Sequence, residues 1–204
     1  GKWRAMLTNL TTLMILLPAA SAASLPGDEA PWSSLADKPV PVACAEISGE
    51  PWCRSEGVIA APLDQVSQAL QNMRYNAGMF ESVLSINVLS DDLLHITLDY
   101  PAPLDDRDYV AKYTFSTDGD AHLVRWTPAT DPGAPETDSV VRLPNFAGEW
   151  RLEARGDSTW VRYTWQAEIN GSFPSWGYSQ ARKKAGHEAL KDLANTQNAG
   201  LSAP

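Results

Sequence analysis

A chain of 204 residues with 44% apolar and 20% charged residues holds enough hydrophobic material for one ordinary domain with a sizeable core, which excludes a disordered chain. Its formal charge of −9 excludes the basic surface that phosphate binding needs, so nucleic acid is not an expected partner. The same charge would be repelled by anionic membranes, so any membrane contact is expected to be transient.

Residues 1–23 read as a secretory signal peptide. Lys2 and Arg4 precede an apolar run centred on Leu13–Leu17, and Pro18-Ala-Ala-Ser-Ala-Ala supplies the small residues of a cleavage site. Thr8, Asn9, Thr11 and Thr12 interrupt the run, which falls short of the about 20 apolar residues a membrane span requires. This leader implies export, and with it a bacterial periplasmic or otherwise extracytoplasmic location. Residues 24–40 are rich in Pro, Ser and acidic groups and read as a linker, with a short helix expected over Trp32–Asp37. A single domain is expected over residues 41–196, and residues 197–204 read as a flexible tail.

Two strands, Val40–Ile47 and Arg54–Ala60, flank the turn-rich Ser48-Gly-Glu-Pro. Cys44 and Cys53 stand one on each side of it, and in an exported protein such a pair is a structural disulfide. Two cysteines with no histidine beside them do not make a metal site. Pro62 to Met73 carries Val66, Ala69, Leu70 and Met73 at helical spacing, with Pro62 near the N-terminus and Asp64 in the first turn. Ser82–Leu89 and Leu93–Asp99 follow as strands about Asp91-Asp92. His95 lies opposite the Leu94/Ile96/Leu98 face and is expected to meet solvent.

Pro101 and Pro103 take residues 101–106 out of the sheet. From Arg107 the pattern alternates, with Arg107, Tyr109, Ala111, Tyr113 and Phe115 on one face and Asp108, Val110, Lys112 and Thr114 on the other. Strands at Leu123–Thr127, Ser139–Leu143, Gly148–Ala154 and Thr159–Ile169 continue an antiparallel meander. In the last of these Val161, Tyr163, Trp165, Ala167 and Ile169 share a face, the mark of a half-buried strand. Asn170-Gly-Ser matches a glycosylation acceptor pattern and is also an ordinary turn pair, the reading preferred here. Ser175–Ala194 is a helix whose narrow face of Tyr178, Ala181, Ala185, Ala189 and Leu193 can lie close across a curved sheet while leaving room beneath it. The order of elements is α+β.

Pro101-Ala-Pro-Leu-Asp-Asp-Arg-Asp-Tyr-Val110 resembles a motif of the START family of lipid-binding domains. The likeness runs in order through Gly57-Val-Ile-Ala-Ala-Pro-Leu-Asp, Val141-Arg-Leu, Gly148-Glu-Trp-Arg-Leu, Val161-Arg-Tyr-Thr-Trp165 and Gly171-Ser-Phe-Pro-Ser-Trp176. It implies a helix-grip fold, in which a curved antiparallel sheet wraps around a long C-terminal helix and encloses a hydrophobic cavity. Tyr100–Asp106 and the helix start near Trp176 would form the entrance. Arg107 would meet either a ligand's polar group or a carboxylate such as Asp105 or Asp106. Tyr100, Tyr109, Tyr113, Trp150, Tyr163, Trp165 and Trp176 would contact the ligand, the alternative for each being ordinary core. The function implied is non-enzymatic binding, with transfer or sensing, of a lipid or sterol-like molecule by a monomer that needs no cofactor or metal. Two other readings stay open: a cyclase- or hydrolase-like enzyme of the helix-grip superfamily, and a protein-interaction module. Against catalysis, His95, His122 and His187 are scattered and no Gly-x-Ser-x-Gly elbow is present.

Overall fold

Turn chemistry decides where the strands of this chain begin and end. The computed structural model describes residues 24–204, so the signal-peptide reading lies outside the described residues. Within them run β1 (Ser33–Ala36), β2 (Val42–Ile47), β3 (Glu50–Ile59), α1 (Leu63–Asn72), β4 (Val83–Val88), β5 (Leu93–Leu98) and β6 (Asp106–Asp118). The chain continues through β7 (Ala121–Pro128), β8 (Val140–Arg142), β9 (Gly148–Arg155), β10 (Ser158–Gln166), α2 (Tyr178–Thr196) and β11 (Leu201–Ser202). Ser48 and Gly49, with φ of 53° and 80°, make the two-residue turn between β2 and β3. Positive φ at both positions gives a twist that matches the flanking strands.

The strands form one sheet in the order β1-β2-β3-β10-β9-β7-β6-β5-β4, with β11 on β3 and β8 on β6. It does not close. Every ladder is antiparallel except β6 with β8, which is parallel over Asp106–Asp108 and Val140–Arg142. The expected all-antiparallel meander is corrected there. Cys44 and Cys53 stand opposite each other in the β2–β3 ladder and are disulfide-bonded.

Both ends of the described chain are part of the sheet. The short helix expected over Trp32–Asp37 is instead strand β1, with Ser33 opposite Cys44. Six residues give an isolated helix too few hydrogen bonds to offset nucleation, whereas β2 offers a ready row of partners. At the other end Leu201 and Ser202 pair with Ile59 and Val58, the part of β3 that lies beyond the end of β2, so the expected tail is anchored by a strand.

Helix α1 buries Val66 and Leu70 and packs against β9 and α2. Helix α2 lies close to the sheet at Gly186, where a Cβ would lie 2.9 Å from Val42 Cγ2 and 3.0 Å from Trp165 Cη2. Leu190, Leu193 and Ala194 continue the buried stripe. The contact stripe is therefore rotated from the one the alanines suggested. Ala181, Ala185 and Ala189 face a hollow instead.

Candidate functional site

Between the concave face of the sheet and α2 lies a cavity of about 580 Å³, within the range of small-molecule sites. A ring system or a single-chain lipid fits such a space.

Alternation builds the cavity wall. Tyr109 and Tyr113 on β6, Trp126 on β7, Trp150 on β9, and Tyr163 and Trp165 on β10 all line it. The rings of all but Tyr109 form a continuous ladder, with centroids 6.0 Å apart for Tyr113–Trp126, 5.8 Å for Trp126–Tyr163, 4.4 Å for Trp150–Tyr163 and 4.8 Å for Tyr163–Trp165. Gly148 makes this possible, because a Cβ there would overlap both the Trp126 ring and the Thr164 carbonyl. Phe80 extends the ladder beyond Trp150, and Phe146 packs 4.5 Å from Tyr109.

The wall carries phenol hydroxyls. Tyr109 Oη and Tyr113 Oη are 3.0 Å apart and share one hydrogen bond. Burial raises the pKa of both, and of Tyr163, further above the ordinary phenol value, at which they are already protonated at neutral pH. Charge is confined to the α2 side and the loop ends, where Glu81, Asp99, Glu168, Glu188 and Asp192 face Arg182 and Lys184. Lys184 is paired with Glu188 at 2.7 Å, and Arg182 lies over the Tyr178 ring at 5.4 Å. Among the described residues no cluster of metal-ligating side chains is present.

Of the eight residues the sequence nominated for ligand contact, seven line the cavity: Tyr100, Tyr109, Tyr113, Trp150, Tyr163, Trp165 and Trp176. Trp176 stands at the rim with 82% of its surface exposed, next to Pro101, Leu104 and Phe173. Arg107 does not line the cavity. It is buried and donates to the carbonyls of Ile169 (3.2 Å), Asn170 (2.8 Å) and Asp105, with its guanidinium 4.5 Å from the Tyr100 ring centroid. Among the described residues its partners are backbone carbonyls, and the expected carboxylate pairing with Asp105 or Asp106 is not formed. It clamps the Pro-rich loop to the turn after β10.

His95 also departs from expectation. It is half-buried, and its Nε2 lies 2.7 Å from Asp108 Oδ2 on the outer face, where Arg142 grips the same carboxylate through two bonds of 2.7 and 2.9 Å. The cavity residues that sequence reasoning missed include Trp126, Phe80, Phe146 and Phe173. For Trp126 a signal existed, since Val124 and Trp126 alternate with Arg125. Phe80, Phe146 and Phe173 sit in loops, where no periodicity points at them.

A curved sheet gripping a C-terminal helix around an apolar cavity defines a helix-grip protein. No protein-family model matches the chain. An uncharacterised protein of Pseudomonas aeruginosa is 33% identical over 88 residues, which is 43% of this chain and 44% of that protein, so the match spans less than half of either. The structure of a STAR-related lipid transfer protein from Xanthomonas axonopodis is 26% identical, with a TM-score of 0.70 over 82% of this chain and 98% of that one. Human StAR-related lipid transfer protein 5 superposes with a TM-score of 0.72 at 16% identity, over 82% of this chain and 86% of that one. The chain has the START fold.

Proposed function

We propose that the protein binds one hydrophobic small molecule, a lipid or sterol-like ligand, in the cavity beneath α2, and acts as a non-enzymatic carrier or sensor of it. The observation that carries this reading is the cavity itself. A fold that only needed stability would fill such a volume, because unfilled core volume costs roughly 24 cal/mol per Å³. The fold shared with lipid transfer proteins supports the same conclusion. At the rim, Trp176, Leu104 and Pro101 form an apolar collar suited to brief contact with a membrane during exchange. The Cys44–Cys53 bond favours an oxidising compartment, in keeping with an extracytoplasmic location.

Delipidated protein titrated with a fluorescent sterol, and followed by native mass spectrometry, tests the proposal. Saturable binding with one molecule per chain is the expected result. No uptake of sterols or of single-chain lipids contradicts it.

A further inference from the structure

Hydrogen-bond accounting on the cavity wall leaves donors unspent. The Tyr109–Tyr113 pair uses one of its two phenolic protons on its partner. The Tyr163 hydroxyl makes no hydrogen bond to any described residue, and Tyr163 lines the cavity within one ring layer of that pair, through Trp126. Trp126 Nε1, on the same wall, is buried without a partner among the described residues; buried polar groups that lack partners are costly, so a wall like this favours an occupant that supplies acceptors. No carboxylate, ammonium or guanidinium stands among these phenols; the seven charged lining residues lie on the α2 side and at the loop ends.

Resting on the binding function proposed above, we propose that Tyr109, Tyr113 and Tyr163 form a neutral polar subsite that takes an uncharged oxygen acceptor of the ligand, a hydroxyl, carbonyl or ether. An ionised ligand group has no counter-charge there and stays at the α2 rim. Two features sharpen the assignment. A phenol is protonated at neutral pH, and burial moves all three further from ionisation, so they remain donors. Beside them, Trp126 Nε1 is a further buried donor without a partner among the described residues, so polar recognition concentrates on the three phenols and that N–H. The subsite therefore sets both ligand class and orientation: a neutral amphiphile enters oxygen-first, whereas an anionic one enters tail-first.

The test uses the full chain, with N-phenyl-1-naphthylamine as a fluorescent reporter that lacks an oxygen acceptor, displaced by 1-dodecanol or by dodecanoate. In Tyr163→Phe, affinity for dodecanol is expected to fall about 2- to 12-fold relative to the same variant's affinity for the reporter, the range one net hydrogen bond is worth. Affinity for dodecanoate should not show that relative fall. The double variant Tyr109→Phe/Tyr113→Phe is read in the same way and serves if Tyr163→Phe does not fold. If dodecanol and dodecanoate respond alike, or neither responds, the subsite is refuted while the cavity reading stands. If wild-type protein binds neither reporter nor dodecanol, the binding function fails and the subsite with it.

Discussion

Asp108 and Asp192 are buried to almost the same degree, with 6% and 8% of their surface exposed, yet the protein treats them in opposite ways. Burial alone would raise the Asp108 carboxyl. The two-pronged bond from Arg142 and the contact with His95 outweigh it and hold the group below its ordinary range. Asp192 is raised by burial and has only the Glu81 backbone N–H, 2.9 Å away, as a compensating donor. Asp108 lies on the outer face of the sheet, where Arg142 and His95 share its carboxylate. Asp192 lies at the cavity rim, where charge is left partly uncompensated. One region satisfies its charge within the fold; the other leaves charge beside a hollow.

The comparison breaks most sharply at Asp108. Asp108→Ala leaves Arg142 and His95 without their shared carboxylate, and loss of one member of a buried pair costs about 3–5 kcal/mol. Urea unfolding should show a lower midpoint with an unchanged slope, and a fall of less than about 1 kcal/mol would contradict the assignment.

A smaller effect follows from acid. A carboxyl with a depressed folded pKa contributes stability that is present above its unfolded pKa and lost as pH falls through the folded value. Wild-type stability at Asp108 is therefore expected to drain away below about pH 4. A plot of unfolding free energy against pH should lose that segment in Asp108→Ala; a parallel curve would disprove it.

The smallest change, with the opposite sign, is expected at Asp192. Its raised pKa means that its contribution is present below the unfolded value and lost as pH rises through the folded one. Asp192→Asn keeps an oxygen for the Glu81 N–H and removes the charge. Thermal unfolding at pH 7 should show equal or higher stability than wild type, with the gap closing in acid. Destabilisation at pH 7 would mean that the rim charge is compensated after all.

What the sequence revealed follows the same division. Period-two alternation is a local signal, so the inner face of β6, with Tyr109 and Tyr113, and that of β10, with Tyr163 and Trp165, were legible as one wall. Alternation also placed Arg107 inward. Its partners, the carbonyls of Ile169 and Asn170, are more than sixty residues away, and no local pattern announces them. His95 shows the same blind spot: its face was read correctly, but Asp108 and Arg142 come from two other strands. Strands β1 and β11 are too short for periodicity to register, and they exist because β2 and β3 have free edges to offer. Gly148 was readable as a strand residue, but its role, making room for Trp126 across β9, depends on the register with β7.

The central claim is that the hollow under α2 is a binding site, and filling it tests that claim most directly. Ala189 faces the hollow from α2, so Ala189→Trp puts an indole where the ligand belongs. Native mass spectrometry of delipidated protein with a fluorescent sterol should show one bound molecule per wild-type chain and none on a folded Ala189→Trp chain. Equal binding by both proteins would place the ligand elsewhere and contradict the account.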